Sequence, residues 1–366
     1  MQPFSLLIKP AGPDCNLACK YCFYSCKAAF FGDVSHRMSD ETLAKLIRDY
    51  LGMGFAVNSF AWQGGEPTLM GLDFYKRVVE LEKKYGRSGQ VINNSLQTNA
   101  IVLDEEWCQF LHEQKFLVGI SLDGPQKFND HYRFDHAGGG TYKKVMTAVD
   151  LCRDYKVEFN ILALLTDVSV DSPDELFDFC VQHDFKYLQF IPCIETDPET
   201  NKPTDYSITP RQYGDFLCRI FDRWYEYGPA KPSIRLFDSI LNLLLTGVHS
   251  MCTFNKRCND YVVVEFNDDV FCCDFFVDEQ WKLGNIMETQ LDVLFAGKRK
   301  SNFAWAKWSV SNKCLVCRHK AICQGGCLKE RLVLGAFNRE SCFCESYKQF
   351  FDYAMPKFMQ IAAQVK

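Results

Sequence analysis

The placement of nineteen cysteines in 366 residues constrains this chain more than any other feature. Four stand between Cys15 and Cys26 and ten between Cys252 and Cys344. Cys108, Cys152, Cys180, Cys193 and Cys218 are scattered between the two groups. A short secreted chain would use so many thiols as disulfides. This chain is long and 47% apolar, enough for a large core. Lys9 and Pro10 cut short the apolar start, which has neither the charged n-region nor the h-region of a signal peptide. No apolar run is long enough to span a bilayer. The expectation is a cytoplasmic protein whose thiols stay reduced, where clustered cysteines mean metal. The scattered five read as small buried hydrophobes. A net charge of -5 without a long basic run disfavours a nucleic-acid partner.

Up to about residue 240 the chain alternates short apolar, β-branched runs with amphipathic stretches. Strands are expected over 4–9, 59–63, 91–98, 116–122, 158–165 and 187–191. Helices are expected over 39–51, 72–85, 104–114, 141–155, 173–183 and 210–225, with Ser39 as an N-cap. Six strand–helix units in series argue an α/β fold with a parallel sheet. A full eight-unit barrel needs about 250 residues. Six units fit a partial (β/α)6 TIM-like barrel, although the pattern also allows a flat doubly wound sheet. The texture then changes. Tyr261 to Phe266 and Val270 to Phe275 flank Asn267-Asp268-Asp269, a hairpin signal. Beyond Trp281 the chain reads as loop-rich and cysteine-dense, a segment that metal must help to hold. The expected division is 1–240 and 241–366.

Cys15, Cys19 and Cys22 have the spacing C-x3-C-x2-C just after the first strand. Three thiolates on one loop can hold three irons of a 4Fe–4S cluster and leave the fourth iron open. A zinc site completed by Cys26 competes equally on spacing alone. In the C-terminal array, Cys314-x2-Cys317-x5-Cys323-x3-Cys327 is a strong metal signal. Its ten cysteines exceed the eight that two four-thiolate sites require, and structural zinc is again the competing reading. Strand alternation would send Cys272 and Cys273 to opposite faces, so one of them is expected to ligate.

Context breaks the first tie. Cys15-x3-Cys19-x-Tyr21-Cys22-Phe23-Tyr24, followed by Gly64-Gly65-Glu66-Pro67 after the second strand, resembles the radical S-adenosylmethionine (SAM) superfamily. The resemblance implies that the open iron binds SAM and delivers one electron to cleave it. It implies further that Gly64 and Gly65 let the backbone approach SAM and that Glu66 pairs with its ammonium group. Ser121 opens another segment of the SAM-contact type. Arg133 is the expected partner of the SAM carboxylate, with a surface arginine as the competing reading. Tyr24 matches the aromatic near the adenine, with ordinary packing as its competitor. The C-terminal array resembles the SPASM extension, which implies two auxiliary 4Fe–4S clusters and three clusters in all. Matching positions assign Cys252, Cys258, Cys273 and Cys327 to one, and Cys314, Cys317, Cys323 and Cys344 to the other. Cys26, Cys272 and Cys342 are thiols additional to that pattern.

Over its whole length the chain resembles the anaerobic sulfatase-maturating enzymes. Leu7-Ile8-Lys9-Pro10, Trp62-Gln63-Gly64-Gly65-Glu66-Pro67, Ser95-Leu96-Gln97-Thr98-Asn99 and Cys273-Asp274-Phe275 carry the likeness. It implies oxygen-independent conversion of a sulfatase cysteine or serine, within a Cys/Ser-x-Pro-x-Arg type segment, to formylglycine. It also implies Asp274 as the base, Gln63 as a substrate-orienting residue, and an electron donor such as flavodoxin or ferredoxin. Two other functions fit parts of the pattern. A related maturase would cross-link another ribosomal peptide, and an iron–sulfur electron carrier would perform no catalysis. The carrier leaves Gly64-Gly65-Glu66-Pro67 and the open-iron triplet unexplained.

Overall fold

The computed structural model describes residues 2–365 except 33, 198, 201 and 230. By compactness the chain divides into two units, each built from separate stretches of sequence. The first comprises 1–121, 130–159 and 259–304, and the second 122–129, 160–258 and 305–366.

The first unit is organised by a sheet. Strands β1 (Ser5–Lys9), β2 (Val57–Trp62), β3 (Val91–Thr98) and β4 (Leu117–Ser121) run parallel in that order. Helices join them. Asp40–Gly52 is capped by the Ser39 side chain, which accepts from the Thr42 N–H, as the sequence indicated. Asp104 caps Glu105–Glu113 in the same way. Leu6, Ile8, Phe60, Trp62, Leu96, Val118 and Ile120 are buried, alternate residues that line one face of the sheet, whereas most of the residues between them in β1–β3 are half-buried or exposed.

The expected hairpin forms, and it joins this sheet. Strand β8 (Tyr261–Glu265) lies parallel to β1, with Ser5 opposite Tyr261 and Lys9 opposite Glu265. Strands β9 (Asp269–Phe271) and β10 (Lys282–Asn285) continue it antiparallel. Packing therefore does not break at residue 240, where the texture of the sequence changes. A hairpin of apolar strands is marginal alone, and the free edge of β1 completes it. Strand β9 also ends at Phe271. Cys272 and Cys273 lie beyond it, so strand alternation does not govern them.

In the second unit, β5 (Phe159–Leu165, apart from its first residue), β6 (Tyr187–Pro192) and the two-residue β7 (Ser233–Ile234) run parallel. The expectation of a loop-rich tail that metal must help to hold left out a long helix. The tail ends in a 22-residue helix, Cys344–Val365, that packs on Pro210–Tyr227. Phe350, Phe351, Ala354 and Phe358 are buried in it, and Phe221 meets Phe350 and Phe358. The aromatic positions follow helical spacing, but the cysteines before them dominated the reading. No described helix is long and apolar enough to cross a membrane.

Candidate active site

The cysteine loop begins where β1 ends and is fastened on two sides. On one side, the Gly65 N–H donates to Gly12 O at 2.8 Å and the Glu66 N–H to Asp14 O at 2.8 Å. A Cβ on Gly65 would stand 2.1 Å from Asp14 O, so glycine is needed for this close approach. On the other side, the Ala18 N–H donates to Phe134 O (2.9 Å) and the Lys20 N–H to Tyr132 O (3.0 Å). These bonds hold Arg133 beside the loop. It is buried, and its Nη1 donates to the Tyr21 hydroxyl at 3.1 Å. Ser121 closes β4, half-buried.

The Cys15 sulfur accepts from the Leu17 N–H at 3.4 Å and from Asn99 Nδ2 at 3.7 Å. Burial pushes its thiol up to about 12, and the charges of Glu66, Cys19 and Cys22 push the same way. An iron–sulfur cluster would supply the positive charge that holds these sulfurs as thiolates. This donor set fits such a cluster, which spacing alone left level with a zinc site.

Glu66 is fully buried, and four donors reach its carboxylate: the Thr68 N–H and hydroxyl, the Thr98 hydroxyl and the Asn99 N–H, at 2.7–3.0 Å. Here it ties the glycine turn to the end of β3. The Tyr24 ring is 1% exposed and packs with Val263, Phe271 and Val277.

Next to that ring lies a buried ionic group. The Tyr24 hydroxyl donates to Glu265 at 2.7 Å. Lys9 Nζ sits 3.3 Å from the centroid of the Tyr24 ring and pairs with Oδ1 of Asp274. Gln63 Nε2 donates to Oδ2 of Asp274 at 3.2 Å. The structure thus brings together Gln63 and Asp274, which lie 211 residues apart in the chain. Burial pushes the Glu265 carboxyl up to about 7, against the lowering effect of Lys9. Lys9 and Glu265 were missed from the sequence. A lysine ending an apolar strand was a visible signal, but its partner was not.

In the second unit, Cys314, Cys317, Cys323 and Cys344 line one cavity of about 220 Å³, and Cys342 lines it too. Among the described residues no three thiol, imidazole or carboxylate groups converge on a single-ion position. Sulfurs spread around a cavity suit a cube of iron and sulfide, whose thiolates stand further apart than four around one zinc. Near Cys273, the Tyr261 hydroxyl lies 3.0 Å from its sulfur, whereas Cys272 is 1% exposed and its thiol is pushed up to about 12 by burial.

Residues 10–180 match the Radical SAM superfamily. Over 370 aligned residues, covering all of both chains, the sequence is 40% identical to the cysteine-type anaerobic sulfatase-maturating enzyme of Clostridium perfringens. The chain belongs to the anaerobic sulfatase-maturating family. It is also 36% identical to the serine-type enzyme of Bacteroides thetaiotaomicron, over 97% of this chain and 90% of that one. The solved structure of native anSMEcpe with bound AdoMet and Cp18Cys peptide superposes with a TM-score of 0.92 at 38% identity, covering both chains fully. Family membership makes this a radical SAM enzyme with a SAM-binding 4Fe–4S cluster.

Proposed function

We propose that this enzyme oxidises a cysteine or serine in a Cys/Ser-x-Pro-x-Arg type segment of a sulfatase to formylglycine without oxygen. The observation that carries the reading is the pairing of Gln63 with Asp274 in the unit that holds the Cys15–Cys22 loop, in a chain matched end to end by maturases. In this reading Cys15, Cys19 and Cys22 hold the SAM cluster. Gly64, Gly65, Ser121, Arg133 and the charge of Glu66 serve the amino-acid end of SAM. Cys252, Cys258, Cys273 and Cys327 hold one auxiliary cluster. Cys314, Cys317, Cys323 and Cys344 hold the other, making three clusters in all. Residues 1–240 then serve SAM cleavage and residues 241–366 the auxiliary clusters. When bound, these groups supply a radical that takes a β-hydrogen and an acceptor for the electron that follows.

The protein's own residues move the proton. As the substrate loses its electron, the S–H or O–H bond breaks and the proton passes to Asp274. A carboxylate does this when held within hydrogen-bond reach of that proton. Gln63 orients the residue being oxidised. Oxidation of serine gives the aldehyde directly, whereas cysteine gives a thioaldehyde that water converts to the aldehyde with loss of sulfide. A flavodoxin or ferredoxin donor and a cytoplasmic location fit chemistry that needs reduced clusters.

The test is anaerobic reconstitution with iron and sulfide. SAM, a reductant and a Cys-x-Pro-x-Arg peptide are then added, with the serine twin in parallel. Aldehyde trapped by a hydrazine reagent, together with 5′-deoxyadenosine, is the expected outcome. Deoxyadenosine with both peptides unchanged would sink the substrate assignment. Asp274→Ala should slow peptide oxidation by about 10²-fold or more and SAM cleavage far less. Cys273→Ser should lower iron per chain, whereas Cys272→Ser should not.

A further inference from the structure

Lys9 is the last residue of β1 and is 1% exposed. A buried ammonium costs several kcal/mol unless it is paired, so its partners show where the fold directs its charge. The parallel register sets Lys9 opposite Glu265. The two oxygens of Glu265 are both within 2.7 Å of the Tyr24 hydroxyl, and the face of that same ring lies against the ammonium. The direct ion pair of Lys9 is with Oδ1 of Asp274. The other oxygen, Oδ2, lies beside Gln63 Nε2.

We propose that Lys9 is the positioning residue of the reaction: its ammonium holds Oδ1 of Asp274, so that Oδ2, beside Gln63, is the oxygen presented to the substrate proton. A carboxylate on a single bond to its backbone turns freely in water. Here Oδ1 is paired with the cation, and Oδ2 accepts from Gln63, the residue that orients the substrate. The Tyr24 ring, whose hydroxyl donates to Glu265, lies against the same ammonium. Lys9 touches neither the substrate nor the reacting atoms in this scheme and acts through Asp274.

The inference rests on Asp274 being the base, and a double-mutant cycle separates the two ideas. Lys9→Met, Asp274→Asn and the double variant are reconstituted, and four quantities are read: iron per chain, deoxyadenosine formed, aldehyde formed, and peptide affinity of the unreduced protein. For Lys9→Met, iron, peptide affinity and SAM cleavage are retained. Peptide oxidation falls in kcat by about 10²-fold with little change in KM, and more deoxyadenosine forms per aldehyde. The double variant is no slower than Asp274→Asn. If Lys9→Met fails to load iron, Lys9→Gln, neutral but still able to donate to Oδ1, takes its place in the same cycle. Effects that multiply in the double variant, or a loss of SAM cleavage in step with peptide oxidation, would overturn the role of Lys9 and leave Asp274 standing. Asp274→Asn with undiminished peptide oxidation would overturn both.

Discussion

The two cysteine-bearing regions are held by different physics. In the first unit, the Cys15–Cys22 loop follows a strand and is stitched to its surroundings by backbone bonds. Gly65 and Glu66 lie on one side of it, and Tyr132 and Phe134 on the other. In the second unit, the turn from Cys323 to Cys327 is held by buried ions. Arg331, 0% exposed, donates to five carbonyls, those of Gly325, Lys307, Ser309, Phe337 and Gln324, at 2.8–3.1 Å. Lys307 Nζ donates to Thr253 O and Gly326 O. Glu330 accepts from the Cys327 N–H and from the hydroxyls of Ser341 and Tyr347. A parallel sheet satisfies backbone groups by repetition. An irregular loop has no such repeat, and a buried cation with several donors does the same work at one point.

The largest expected effect tests that contrast. Arg331→Met leaves five carbonyls without this donor and should destabilise the second unit by about 3–5 kcal/mol. Thermal unfolding should show the loss. Iron at the site proposed for Cys314, Cys317, Cys323 and Cys344 should fall, while the site proposed for Cys15, Cys19 and Cys22 keeps its own. Equal loss at both would erase the distinction. Gly65→Ala is the mirror experiment. Its Cβ would meet Asp14 O at 2.1 Å, a backbone atom that cannot easily yield. A cost of about 1–3 kcal/mol should fall on SAM cleavage and spare the iron proposed for the C-terminal cysteines, which spectroscopy of the as-purified protein can separate.

A smaller effect concerns buried charge in the sheet-based unit. Glu82 accepts from Asn94 Nδ2 at 3.0 Å on both oxygens, and burial pushes its carboxyl up to about 7 from an ordinary 4.5. The folded state therefore holds a proton that the unfolded chain releases between about pH 4.5 and 7. Stability from this group falls as pH rises through that window, by at most about 3 kcal/mol. Glu82→Gln should flatten that slope and leave the protein more stable at pH 8, as denaturant titrations at pH 5 and pH 8 would measure. An unchanged slope would show that this buried charge costs the fold nothing. The smallest effect belongs to Cys26. Its thiol is exposed and lies 3.2 Å from Phe23 O. Cys26→Ser should leave iron per chain unchanged and stability within about 0.5 kcal/mol; lost iron would make Cys26 a ligand.

Much of this architecture was legible in the sequence. The parallel strands follow from apolar β-branched runs between capped helices. Ser39 stands where a cap is needed, and Leu72–Tyr85 and Val91–Thr98 have the bounds that periodicity gives. The Cys15 triplet and the glycine turn could be placed at the end of their strands because their spacing is local. The C-terminal helix was obscured because cysteine density looked like irregular structure, while its core of Phe350, Phe351 and Phe358 became informative only against Phe221. Sequence by itself determined which groups the chain offers for chemistry: the thiols, their spacing, the glycines and Asp274. Tertiary structure alone decided that β8 joins β1, and hence that Lys9 meets Glu265 and Asp274, which lie more than 250 positions away. It also decided that Tyr24 is enclosed and that Arg331 gathers five carbonyls. Spacing along a chain fixes local geometry, but charge pairing across a sheet edge depends on which strand fills that edge, and short-range sequence holds no record of that choice.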